Sequence, residues 1–212
     1  MAQWFHYVGG RYTPRKFIEE SIRVGFITRR APANQVKAMH FGDTVVLLDW
    51  RKGKPAAFGE FIINGVMFDG KVQQKLVEEL KAEDKIVQDD SGVPSVKVER
   101  ECGDFTMGGG ASVREDVDIP EIMEKAERAN NDMQGELGLK DESKGSLWCM
   151  VKGTLTKTFI PPRTIDPAPP FTRGFMQVPE GTQFIASHAD EHVHNEAERT
   201  VTGVGEYERA WE

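Results

Sequence analysis

Apolar and polar positions change period several times along the chain, and each change predicts an element. Gln3 to Val8 alternates at period two, with Trp4 and His6 on one face and Phe5 and Tyr7 on the other, so a first strand is expected there. After Gly9-Gly10 the period lengthens. Phe17, Ile18 and Ile22, with Val24, recur at helical spacing behind Thr13 as N-cap and Pro14 at the first helical position, and Gly25 closes the helix. Residues 26–43 hold neither period and read as a loop-rich connection ending in the turn Phe41-Gly42-Asp43. TVVLLDW, 44–50, is nearly all apolar, as in a strand covered on both faces. The charged turn Arg51 to Lys54 leads to a second strand over 56–68, with a bend or bulge expected near Gly59 or Gly65.

Further on, Val72, Leu76, Val77 and Leu80 make one side of an amphipathic helix over 70–82. Residues 83–92 are polar and turn-like, Val93 to Arg100 alternates as a strand would, and Met107 to Ala111 is a glycine turn. Asp118-Ile-Pro-Glu121 is a capping signature, opening a helix that brings Ile119, Ile122, Met123 and Ala126 inward. A charged linker follows over 135–145. Residues 146–160 read as two strands joined at Gly153, and 161–170, with five prolines, as irregular polyproline-like chain. Short β-like runs return between Gln183 and Tyr207. These elements predict an α+β protein. An α+β unit with short helices fills 1–105, a helix and linker fill 106–145, and a β-rich C-terminal region fills 146–212.

Composition narrows the class. The 212 residues carry 39% hydrophobic and 29% charged side chains, an ordinary globular balance. No apolar run nears the roughly 18 residues that span a bilayer, and the opening MAQWFHYVGG lacks the basic and apolar regions of a leader. Cys102 and Cys149 make neither a disulfide framework nor a CxxC pair, so they read as reduced thiols in a cytoplasmic protein with no membrane partner. The net charge of -7 is unevenly spread: residues 1–60 hold ten basic and five acidic side chains, so the acidity lies in the later chain. The N-terminal segment is thus suited to a polyanion, and the acidic C-terminal region to a basic protein partner.

The ordered series strand, helix, basic loop, Gly42-Asp43, apolar strand, Trp50, basic turn and strand, with KAMHFGDTVVLLDWRKGKPAAFGEFII from Lys37 to Ile63, resembles the PUA-like superfamily, in particular its EVE and ASCH branches. The resemblance covers the first 70 to 100 residues. It implies a strongly curved, barrel-like sheet with a pocket that reads a nucleobase, often a modified one, in RNA or DNA. The residue chemistry fits that expectation. Trp4, Tyr7, Tyr12 and Trp50 can supply stacking faces, Asn34 and Asp49 can read a base edge, and Arg29, Arg30, Lys37 and Arg51 can hold phosphates. Each of these aromatics can equally be a packing residue.

Two enzyme readings stand beside this one. The ASCH branch includes RNA-directed amidohydrolases with a Gly-x-Lys-x-x-Thr-x-Arg-like segment and a strand glutamate. Here Gly25-Phe-Ile-Thr28-Arg29-Arg30 offers the Gly, a Thr and an Arg, and Glu60 lies on the second strand, but no lysine stands between Gly25 and Thr28 to activate the threonine, and Glu60 reads as a solvent-facing strand residue. The second is a divalent metal at His188, His192 and His194 among Asp190, Glu191, Glu196 and Glu198, in a spacing similar to the first metal motif of cupins. The chain supplies no second such motif after Gly205. The expectation is therefore a nucleic-acid-binding module without catalysis or cofactor. A hydrolase and an acidic inhibitor that mimics nucleic acid are the alternatives.

Overall fold

Strand β1 (Gln3–Tyr7) lies parallel to β3 (Thr44–Arg51), with Phe5 opposite Val46 and Tyr7 opposite Leu48. A parallel pair needs a crossover, and the segment between the two supplies one. Its first part is helix α1 (Pro14–Val24), where the Thr13 hydroxyl accepts the Lys16 N–H at 3.3 Å and the Gly25 N–H donates to the Ser21 carbonyl. The computed structural model describes residues 1–9, 13–51, 54–87, 112–136, 147–171 and 174–186, with the backbone alone at Arg51, Val87 and Ser112. The chain is α+β, with a curled mixed β-sheet half-barrel and few helices.

The chain forms two compact units, both assembled from separated segments. The first comprises 1–27, 44–62 and 155–212. In it β3 pairs antiparallel with the first part of β4 (Lys54–Phe68), and β8 (Phe175–Gln177) pairs antiparallel with the other edge of β1. The later part of β7 (Trp148–Asp166) flanks β4 and pairs through Thr164–Asp166 with β9 (Gln183–Ile185). One sheet face buries Phe5, Tyr7, Val46, Leu48, Ala57, Phe159 and Ile165, with Met176, Val178 and Phe184 packed on them. Elsewhere α1 sets Phe17 edge-on to Phe58 at 6.0 Å. The expected bulge falls where predicted, since the β3–β4 register slips between Leu47, opposite Gly59, and Leu48, opposite Ala57. A side chain on Gly59 would come within 3.1 Å of the Lys157 carbonyl oxygen and 3.3 Å of Ile18, so any larger residue would push β7 or Ile18 back by a few tenths of an ångström.

The second unit comprises 28–43 and 63–154. The early part of β7 lies between β2 (Ile27–Pro32) and the end of β4. The unit also holds α2 (Ala33–Val36), α3 (Gly70–Ala82), the pair β5 (Ile86–Val87) and β6 (Ser112–Val113), and α4 (Ile119–Glu136). Helix α3 buries Val72, Leu76 and Leu80; α4 buries Ile119, Ile122, Met123, Ala126 and Ala129.

Three local expectations change. The connection 26–43 contains a strand and a short helix, because β2 is paired with a partner more than a hundred residues later, as in the Cys149 Sγ contact to the Ala31 carbonyl at 3.7 Å. Residues 146–160 are not two strands joined at Gly153: β7 runs unbroken through the buried Gly153 and on through Pro161 and Pro162 to Asp166. The turn-like 83–92 includes β5, held by β6. The expected strand 93–100 and glycine turn 107–111 lie outside the described residues.

Candidate nucleic-acid interface

In the first unit the register of β1 and β3 places Phe5 and Tyr7 on the same face as Val46, Leu48 and therefore Trp50. Tyr7 and Trp50 meet there, with ring centroids 6.1 Å apart. Phe171, at the end of the proline-rich segment, completes the cluster at 5.0 Å from Tyr7 and 6.5 Å from Trp50. Tyr7 is 7% exposed, and its hydroxyl donates to the Pro169 carbonyl oxygen at 3.1 Å, which ties the proline segment down; burial raises the phenol pKa. Trp50 and Phe171 remain 47% and 62% exposed. Tyr7 lies beside both rings, and Trp50 and Phe171 stand nearly perpendicular, at 83°, so a flat ligand can stack on one and meet the other edge-on. At the strand end beside Trp50, the Arg51 backbone is the register partner of Lys54, whose side chain is exposed.

Trp4 is placed differently. By alternation it lies on the other face of β1, 6% exposed, as does His6, whose ring stands 4.7 Å from Phe175 and whose Nδ1 lies 3.1 Å from the Gly174 carbonyl oxygen. Asp49 alternates away from Trp50 on β3 and is half-buried. Tyr12, the Arg51 side chain, and the metal candidates His188, His192 and His194 lie outside the described residues, as does Cys102. Cys149 is buried, and burial pushes its thiol up to about 12.

The other expected phosphate ligands and Asn34 belong to the second unit. Arg29 and Arg30 are on β2 rather than in a loop. The Arg30 guanidinium stands 5.2 Å from the Trp148 ring and 3.9 Å from Asp69, and Lys37 pairs with Glu127 at 2.6 Å. Asn34 is exposed on α2. The Gly42-Asp43 turn has a structural role. Gly42 takes φ 88°, its N–H donates to the Ile63 carbonyl, and the buried Asp43 carboxylate accepts the His40 N–H at 3.1 Å. Next to it, Asp118 caps α4 by accepting the Ile119 and Phe41 N–H groups at 2.7 and 3.0 Å, with His40 Nδ1 at 2.5 Å. Burial works against ionisation of Asp118, but these backbone and histidine hydrogen bonds outweigh it and hold the carboxyl below its usual range.

The sequence reading passed over Phe171, Lys157 and Arg163. The last two approach the buried Phe159 ring, the Lys157 Nζ at 5.5 Å and the Arg163 guanidinium carbon at 4.7 Å from its centroid. The available signal is the alternation Lys157-x-Phe159, which sets both side chains on one strand face. Glu60 is half-buried rather than solvent-facing. Among the described residues no group of three His, Cys, Asp or Glu is placed to hold a metal ion, and no helix is long and apolar enough to cross a membrane. No protein-family model, curated protein or solved structure matches the chain.

Proposed function

We propose that the first unit is a PUA-like reader of the EVE or ASCH kind, which binds single-stranded nucleic acid by stacking one base, modified or not, on Trp50, with Phe171 meeting the base edge-on. One observation carries the reading. Two large rings from separate segments stay largely exposed beside a tyrosine whose hydroxyl is tied down, although their burial would be favourable by about 2 kcal/mol each. In this reading Arg51 and the exposed Lys54 hold a flanking phosphate. A chain with net charge -7 neutralises few phosphates, so affinity in this reading rests mainly on the stack.

The test is a fluorescence titration with single-stranded and duplex DNA and RNA, with and without modified bases, over a salt series. Binding to single strands with a shallow salt slope is expected, weakened at least about tenfold by Trp50→Ala, since stacking is worth roughly 1–3 kcal/mol per base, and less by Phe171→Ala. Because both residues are exposed, neither change should alter the thermal midpoint. Equal binding by wild type and both variants, or no binding to any oligonucleotide at low salt, would overturn the proposal.

A further inference from the structure

Glu60 of β4 lies opposite Val46 of β3, and its own carbonyl accepts the Thr156 hydroxyl of β7 at 3.3 Å. The charged groups facing its carboxyl both come from β7, Lys157 and Arg163; its register partner on β3 is apolar. The same two cations converge on the ring of Phe159, at 5.5 and 4.7 Å. Like charges brought to one ring repel, and a ring face offsets only about 0.5–1 kcal/mol at an exposed site. Among the described residues no carboxylate closes an ion pair on either cation. Glu60 does not neutralise them well: burial pushes its pKa up, and the two cations recover only part of that shift. Two positive charges without a carboxylate ion pair among the described residues thus stand at one aromatic ring, near one carboxyl that resists ionisation.

We propose that Lys157 and Arg163, over Phe159 and beside Glu60, form a binding site for a tetrahedral oxyanion of the phosphate class. The guanidinium offers paired N–H donors and the ammonium a point charge, the usual combination for phosphate oxygens. With Glu60 protonated, its O–H becomes a third donor; with Glu60 ionised, it repels the anion. Binding is therefore linked to uptake of one proton. The site needs neither Trp50 nor Phe171, so it stands independently of the base-stacking reading.

Sulfate is the first probe, because its charge is constant over the range tested. Isothermal titration of the full chain at a lower and a higher pH should show saturable binding, tighter at the lower pH. Glu60→Gln should bind sulfate at the higher pH as tightly as wild type does at the lower, with no proton uptake. Lys157→Met with Arg163→Met should lose the binding at both, and each single change covers the case in which the double variant fails to fold. Trp50→Ala should leave sulfate binding unchanged, which separates failure of this proposal from failure of the stacking one. A nucleoside 5′-monophosphate and a short oligonucleotide then distinguish a free nucleotide from a strand phosphate: the natural source is whichever binds tighter than sulfate and is weakened by Lys157→Met. No saturable sulfate binding in wild type, undiminished binding in the cation variants, or a pH dependence that survives Glu60→Gln would each overturn the proposal.

Discussion

Glu60 and Glu83 are the same residue type with opposite fates. Glu83, in the second unit, receives the Lys125 ammonium at 2.5 Å and Lys85 at 2.9 Å; their hydrogen bonds bring its pKa down to about 2. Lys125, only 7% exposed, is also 3.2 Å from Glu79 and 3.8 Å from Glu121. Burial opposes its charge, but the bonds to Glu83 and Glu79 prevail and raise its pKa. Every charge in that network has a partner, and the network joins α3 to α4. In the first unit Glu60 faces two cations without pairing to either, and its pKa moves up. A closed network serves the fold; an open one is left for something else to complete.

The comparison can be broken at several points. The largest effect belongs to the apolar sheet face of the first unit: Phe5→Ala, at a fully buried position beside Phe184, should cost about 3–5 kcal/mol in urea denaturation, nearly independent of salt. Lys125→Ala should cost less, about 2–3 kcal/mol, because the three glutamates left behind are partly solvated, and the loss should shrink at low pH as they protonate. A salt-independent, pH-independent loss would show that Lys125 acts through packing alone. Asp118→Ala removes a cap shared by Ile119 and Phe41 and should cost about 1–2 kcal/mol, with helix content at α4 falling first in hydrogen exchange.

The smallest effect is the most diagnostic, because its sign differs between the two glutamates. Glu83 has a depressed pKa, so its stabilisation is present above the unfolded value and is lost as pH falls from about 5 toward about 2. Glu60 has a raised pKa, so it favours the fold once protonated and opposes it above its folded value. Glu60→Gln should therefore raise the thermal midpoint near neutrality, by no more than about 2 °C, whereas Glu83→Gln should lower it. A fall in both would remove the contrast.

Much of the local architecture was legible because its signals are local. Thr13-Pro14 and Gly25 bound α1, Asp118 opens α4, and the bulge sits at Gly59, each a matter of a few neighbouring residues. β2 was missed because Thr28, Arg29 and Arg30 interrupt any alternation, and what makes 27–32 a strand is β7, far along the chain. β7 was divided at Gly153 because glycine marks turns in isolation; here it is buried in a paired strand. Of the expected base-binding residues, Tyr7 and Trp50 come together because their strands are parallel neighbours in register. Phe171 was hidden behind prolines, and its neighbours in space are 164 and 121 positions earlier.

The sequence by itself therefore determined the α+β class, the bounds of α1 and α3 and the start of α4, strands β1, β3 and β4, and the presence of aromatic and basic side chains near the start of the chain. Only the tertiary structure decided which rings are buried and which are open, that Arg30 and Lys37 have partners of their own, and that Glu60 meets two cations from the later half. The reason is physical. Caps and periodicity act over a few residues, whereas burial, charge pairing and pKa depend on which distant strand arrives alongside, a result of the whole chain's competition for apolar contact.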